Sequence, residues 1–186
     1  MTKRLFIAVK ITPDTDTLNH IYRIQQRLEH EKIKWVDTNG IHITLKFLGD
    51  TDEQLIPQIE QQLQQIATKH KTTSLTLQDI GVFPNEQRPR VLWIGTNPNT
   101  ELQKLAQDID NAMEKLGYEK EQRPFKPHIT LGRIKFLKDK RSLHKLLEQY
   151  KDKYFQDNNI DQFILYESTL TPKGAKYTAL KTFKLQ

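Results

Sequence analysis

At 186 residues the chain is long enough for a well-filled core, as one domain or two small, intimate lobes. Its 36% hydrophobic and 28% charged residues, with only 7 Gly and 8 Pro, are those of a soluble globular protein, and no apolar run approaches the roughly 20 residues of a membrane span. The lack of cysteine excludes disulfides, thiolate catalysis and Cys-ligated zinc or iron–sulfur sites. The net charge of +6 favours polyanionic partners without demanding one, because a Lys-rich soluble surface carries the same charge.

In chain order, Arg4–Ile11 (RLFIAVKI) reads as a strand by its branched and apolar content. The charge and apolar stretch at the N-terminus are too short for a signal peptide and precede no small-residue cleavage site, so the expected location is cytoplasmic. Pro13 and Asp14 open a helix with Leu18, Ile21, Ile24 or Gln25, and Leu28 on its apolar stripe. Lys34–Val36 is extended, Asn39-Gly40 signals a turn, and Ile41–Leu48 is a strand ended by Gly49-Asp50. Thr51 and Gln54 have the spacing of a capping box before a helix carrying Leu55, Ile56, Ile59, Leu63 and Ile66. Leu75–Val82 and Val91–Gly95 are strands, separated by a polar loop at 84–89 with Arg88 and Arg90 at its far end. Asn99 or Thr100 caps a helix with Leu102, Leu105, Ile109, Met113 and Leu116, stopped at Gly117. Pro124 and Pro127 hold the chain extended before another strand at 128. A short helix with Leu143, Leu146, Leu147 and Tyr150 follows, then strands at Phe163–Glu167 and Tyr177–Leu185 joined through a Thr-Pro-Lys-Gly turn.

Two of these strands carry the same four residues, HITL, at His42–Leu45 and His128–Leu131, 86 residues apart. At that offset Leu5 falls on Val91, so LFIAV lies over VLWIG, although the apolar registers of the helices that follow do not superpose. Each half reads strand, helix, extended segment, HITL strand, helix, strand. The expectation is therefore one α+β domain of two lobes, antiparallel-rich sheet with helices outside, related by an approximate two-fold axis. The HITL strands would face each other across a central cleft.

Side chains alternate along a strand, so His and Thr of each motif share one face while Ile and Leu enter the core. A neutral imidazole accepts a proton and an imidazolium donates one, and an ordinary pKa near 6.5 makes both forms available around neutrality. Two imidazoles, His42 and His128, across a phosphodiester can act in opposite senses on the attacking and leaving oxygens. Thr44 and Thr130 can donate to the non-bridging oxygens. No metal or other cofactor is needed, and the chain has no H-x-x-x-H or H-x-H pair. A single H-x-T in a strand is ordinarily just a polar face; the duplication gives it weight.

Further candidates for substrate contact are Arg133, Arg123, Lys126, Phe47 and Phe125. Regular alternation puts Arg133 and Lys135 on the face opposite His128, so a phosphate role for Arg133 needs a bulge or twist near Gly132. Phe47 and Phe125 are candidates to stack on a nucleobase, against the commoner role of strand-side aromatics as core, and Trp93 is assigned to the core. His20, His30, His70 and His144 are expected at the surface of helices or their ends.

The paired H-x-T-x motifs resemble the two-histidine (2H) phosphoesterase superfamily. RLFIAV at Arg4, HITLKFLGD at His42, GVFP at Gly81, PRVLWIG at Pro89 and RPFKPHITLGR at Arg123 are similar to its RNA 2′,3′-cyclic phosphodiesterase branch, also described as 2′-5′ RNA ligase-like. This resemblance implies a bilobal LigT-like fold and hydrolysis of RNA 2′,3′-cyclic phosphate ends, tRNA fragments among the candidate RNAs, to 2′-phosphomonoesters; with the residue chemistry above, the expected hydrolysis is metal-independent. It further implies His42 as proton donor to the departing 3′-oxygen, His128 as proton acceptor from water, and Thr44 and Thr130 as phosphate ligands. The residues themselves, being identical in the two motifs, leave donor and acceptor open. Two alternatives remain: a 2′-5′ RNA ligase running the reverse chemistry with the same residues, and a non-catalytic RNA-binding protein in which the basic surface matters, the histidines only contact phosphate and binding has a steep salt dependence. No membrane or protein partner is implied.

Overall fold

The computed structural model describes residues 1–172 and 174–186. Its elements are β1 (Thr2–Lys10), α1 (Thr15–Arg27), β2 (Lys32–Trp35), β3 (His42–Asp52), α2 (Ile56–Ala67), β4 (Thr73–Phe83) and β5 (Val91–Thr96). They continue with α3 (Thr100–Lys115), β6 (His128–Phe136), α4 (Lys140–Gln149), β7 (Tyr154–Ile160), β8 (Gln162–Thr171) and β9 (Gly174–Lys184). Lys173, in the expected Thr-Pro-Lys-Gly turn, lies outside the described residues.

The strands form one antiparallel sheet in the order β7-β4-β5-β6-β3-β1-β8-β9, with β2 also paired to β6. Its centre is narrow. β3 and β6 pair only where Ile43 lies opposite Ile129, and both isoleucines are fully buried. Truncating either to Ala is expected to cost roughly 2–5 kcal/mol, the range for large-to-small changes in a packed core. To one side lies the lobe β3-β1-β8-β9, to the other the lobe β6-β5-β4-β7 with β2 attached.

The lobes do not coincide with the sequence halves. β4 leaves the first half to pair with β5 and β7, while β8 and β9 return from the chain's end to β1. The helices are traded likewise. α2 contacts α3 and β9, and α3 contacts β3, so these two helices back the β3 lobe. α1 contacts β7, and the His20 imidazole of α1 shares a 3.2 Å hydrogen bond with the Tyr150 hydroxyl at the end of α4. Each lobe therefore depends on chain from both halves.

One large apolar cluster fills the space between sheet and helices, with Leu5, Ile7 and Val9 of β1 pointing into it. A smaller cluster on the opposite face comprises Phe6, Ala8, Ile164 and Tyr166, with Tyr177 against it. β1 is covered on both faces, which is why its apolar run is continuous instead of alternating with polar residues. The helices bury the stripes expected of them: Ile21, Ile24 and Leu28 from α1, and Leu102, Leu105, Ile109 and Met113 from α3. Asp14 and Asn99 cap them, accepting from the N–H of Thr17 (2.7 Å) and of Leu102 (2.8 Å). Among the described residues no helix is long and apolar enough to cross a membrane.

Two local expectations are corrected. Gly49-Asp50 does not end β3: Gly49 takes a positive φ of 72° at a register shift, and pairing with β1 resumes through Asp52. Thr51 is consequently a buried strand residue accepting from the Tyr118 hydroxyl (3.1 Å), not a helix cap. Asp52 instead accepts from the N–H of Gln54 (3.0 Å), and α2 starts beyond it with Pro57 in its first turn. Strand β7, YFQDNNI, was not expected, because as an edge strand it buries few apolar residues.

Candidate active site

Each HITL strand contains a bulge at the same place. Opposite β1, Thr44 pairs with Ala8 and Lys46 with Ile7, leaving Leu45 as the extra residue. Opposite β5, Thr130 pairs with Trp93 and Gly132 with Leu92, leaving Leu131 extra. An added residue reverses the alternation beyond it. Leu45 and Lys46 both turn inward, as do Leu131 and Gly132, and all four are buried. Phe47 and Arg133, next in line, then emerge on the face of His42, Thr44, His128 and Thr130. The bulge that a phosphate role for Arg133 requires is present. The strand pairings also refine the repeat: the HITL strands correspond at 86 residues, but their neighbours correspond at 85, with Ala8 matching Trp93.

The two imidazoles are held alike. His42 Nδ1–H donates to the Gly40 carbonyl oxygen (2.7 Å), and His128 Nδ1–H to that of Lys126 (2.7 Å). A carbonyl oxygen can only accept, so each Nδ1 must carry the hydrogen, and in the neutral ring Nε2 keeps the free lone pair. Both pKa values are lowered from 6.5, chiefly by burial, against an opposing effect of the carbonyl partner; the nearby His128 adds repulsion at His42. The free site thus favours two neutral rings, each with an open Nε2 lone pair, and resists protonation of both together.

The walls around the two rings differ. His42 lies against Phe6 (ring centroids 4.9 Å apart), meets Tyr177 edge-on (5.2 Å) and has Tyr166 at 6.5 Å. His128 meets Phe83 edge-on (4.9 Å) and has Trp93 at 6.3 Å. Trp93 is therefore half-buried on the site face, not part of the main core as its VLWIG setting suggested. Two glycines make room for its indole: a Cβ on Gly81 would sit 2.2 Å from Trp93 Cζ2, and one on Gly95 2.9 Å from Cζ3. Trp93 Nε1 is buried without a hydrogen-bond partner among the described residues. Apart from Trp93, which was assigned to the core, none of these wall residues was singled out from the sequence.

A model of the family described as LigT like Phosphoesterase matches the chain twice, over residues 11–93 and 94–177. The chain is 37% identical over 181 residues to the RNA 2′,3′-cyclic phosphodiesterase of Methanocaldococcus jannaschii, a match covering 96% of this chain and 98% of that protein. The chain belongs to the LigT-like phosphoesterase family. It is also 35% identical over 176 residues to the protein of the same name from Aquifex aeolicus, covering 91% and 93% of the two chains. Among solved structures, TT0787 of Thermus thermophilus has a TM-score of 0.80 at 28% identity, covering 98% of this chain and 97% of that one. Escherichia coli LigT, complexed with 3′-AMP, shares the fold at a TM-score of 0.78 and 24% identity, covering 100% and 99%.

The remaining candidates occupy different positions in this LigT-like chain. Phe47 is 52% exposed, with the Arg4 guanidinium 4.8 Å from its ring centroid. Arg133 and Lys135 are exposed on β6. Lys126 presents its carbonyl to His128, while Arg123 extends into solvent beside Glu121 (3.7 Å). Phe125 is half-buried against the main core, so a stacking role for it is not supported. Of the four other histidines, His30 and His144 are exposed as expected. His70 is buried and donates through Nε2 to Asp108 (2.8 Å), and His20 is half-buried against Tyr150 and Phe155. Both were expected at the surface and instead pack against neighbouring elements.

One inward residue ties the motifs together. The Leu45 bulge buries Lys46, whose Nζ donates to Asp110 Oδ1 and to the Glu119 carbonyl, both at 2.5 Å. Asp110 also accepts from the Glu121 N–H (3.2 Å). The strand of the first motif thereby anchors the segment that leads into the second.

Proposed function

We propose that the protein hydrolyses RNA 2′,3′-cyclic phosphate ends to 2′-phosphomonoesters, without a metal, through His42 and His128. One observation carries the reading: paired imidazoles on adjoining strands, each with Nδ1 committed to a backbone carbonyl and Nε2 without a protein partner among the described residues. The names of the relatives supply the substrate class. The enzyme works with one imidazole neutral and the other protonated, the state that mutual repulsion favours once an anionic phosphodiester has attracted a proton.

His128 Nε2 takes a proton from water as the water oxygen bonds to phosphorus. The bond from phosphorus to the 3′-oxygen breaks, and His42 Nε2–H protonates that oxygen as it leaves. The 2′-oxygen keeps the phosphate, and the proton gained by His128 must return to His42 through solvent before the next turnover. Thr44 and Thr130 donate to the non-bridging oxygens as negative charge accumulates there. Arg133 pairs with a phosphate and Phe47 receives a base. This acid–base complement is complete without a metal ion.

The deciding assay incubates the protein with an RNA ending in a 2′,3′-cyclic phosphate, with and without EDTA, and identifies the hydroxyl that retains the phosphate. A 2′-phosphate formed at equal rates in both arms is expected. A 3′-phosphate, or activity lost with EDTA and restored by a divalent ion, would overturn the mechanism. An RNA with a 5′-hydroxyl in the same tube registers any joining.

A further inference from the structure

On the helical side of the β6 lobe, away from the paired histidines, α1 and the C-terminal end of α4 border a cavity of about 590 Å³. That lies within the range of roughly 300–1,000 Å³ typical of ligand pockets. Its lining contains His20, Arg23, Arg27, Lys153 and the Tyr150 hydroxyl, and no carboxylate. Among the described residues, Arg23, Arg27 and Lys153 have no acidic side chain within salt-bridge distance. Some lysines elsewhere are paired: Lys3 with Glu167 (3.0 Å), Lys104 with Glu101 (2.9 Å) and Lys181 with Glu60 (3.0 Å). The Arg27 guanidinium donates to Gln149, which fixes its position without neutralising it. Arg23 and Arg27 stand one helical turn apart on α1, an arrangement that repels itself unless an anion lies between the charges. The exposed Asp16 carboxylate lies 3.9 Å from His20.

We propose that this cavity is a second, non-catalytic site that binds a chain of phosphate groups. Arginine forks and an ammonium suit phosphate oxygens, and the glutamines and tyrosine of the rim supply neutral hydrogen bonds. The phosphates come from one of two sources: a free nucleoside polyphosphate, or the body of an RNA whose end occupies the catalytic cleft. Only the second source rests on the proposed hydrolysis.

The test compares wild type with the exposed-surface variant Arg23→Gln/Arg27→Gln/Lys153→Gln. Inorganic triphosphate should shift the wild-type His20 ring signals and raise its pKa, which burial, Lys153 and Arg23 hold down against Asp16, with Tyr150 as the facing group on α4. The triple variant should lose that response. In parallel, a single-stranded RNA of about twenty nucleotides with a 3′-hydroxyl is bound at several salt concentrations. Loss of three phosphate contacts should lower the log–log salt slope by about 2. A response lost in the triphosphate arm alone identifies free polyphosphates; one lost in the RNA arm identifies the RNA body. If the two proteins behave identically in both arms, the site does not exist. Hydrolysis of a dinucleotide 2′,3′-cyclic phosphate should be equal in both proteins, so failure of the catalytic reading is seen separately, as absence of turnover in both.

Discussion

The β3 lobe and the β6 lobe present the same His-x-Thr, bulged at the same leucine, yet set it in different surroundings. Beyond the bulge the β3 lobe offers an exposed aromatic ring, Phe47, and the β6 lobe a cation, Arg133. Behind His42 stand two tyrosines and a phenylalanine; behind His128 stand a phenylalanine and a tryptophan seated over glycines. Inward of the bulge the contrast is as strong. Lys46 reaches the half-buried carboxylate of Asp110, whereas its counterpart Gly132 has no room for a Cβ, which would lie 2.7 Å from Ile33. In the proposed function the repeat supplies the acid–base pair, and the departures from it supply direction: Phe47 as a base platform on one side, Arg133 as a phosphate-binding charge on the other.

Removing either imidazole is the severest way to break this comparison. His42→Ala and His128→Ala should each lower turnover of a cyclic-phosphate-ended RNA by about 10²–10⁴, the range for losing a general acid or base. The roles separate with a substrate whose 3′-oxygen is replaced by sulfur. A thiolate leaves without protonation, so that substrate should restore much of the rate to His42→Ala and none to His128→Ala. Rescue in the opposite variant would exchange the assigned roles.

Substitutions beyond the bulge should be milder and unequal. Arg133→Gln removes a charged hydrogen bond of about 1.5–3 kcal/mol, some 10- to 150-fold in kcat/KM, and should flatten the salt dependence. Phe47→Ala removes a stacking face of about 1–3 kcal/mol and should act on KM with little change in salt response. Equal salt slopes in these two variants would mean that the lobes do not divide the substrate in this way.

Gly81→Ala probes the wall of one lobe only. Its Cβ would displace the indole of Trp93, an overpacking expected to cost roughly 1–3 kcal/mol of stability. Because Trp93 and Phe83 flank His128, the His128 ring signals should move while those of His42 stay. Movement of both, measured by NMR on the variant, would show that the lobes are mechanically coupled through the Ile43–Ile129 junction.

The paired histidines and their threonines were legible because a period of two fixes which side chains share a face, and the motif occurs twice. The bulges were not. Whether an extra residue is tolerated depends on the partner strand, and nothing in HITLK or HITLGR alone shows that Leu45 and Leu131 will be skipped by β1 and β5. The place of Arg133 therefore stayed conditional, and the one-residue difference between the neighbouring strands' offset and that of the motifs was hidden. Trp93 was misassigned for a related reason: in a run such as VLWIG both faces are apolar, so composition does not tell core from site wall. His70 was misjudged because its partner Asp108 belongs to α3, which lies far from it in sequence.

The finest distinction is in proton affinity. Burial holds both imidazoles below 6.5 in the free protein, and charging one ring opposes charging the other. The kcat/KM profile reports the free enzyme. It rises with pH as the base loses its proton and falls as the acid loses its own. With both affinities lowered, both limbs lie on the acid side of 6.5, and the maximum lies there too. A bound phosphodiester anion stabilises imidazolium and raises both values, so the kcat profile, which reports the complex, should be displaced to higher pH than kcat/KM. Measuring both curves on a dinucleotide 2′,3′-cyclic phosphate checks the direction. A kcat/KM maximum above about 7 would require an environment that favours imidazolium, contrary to the effect of burial.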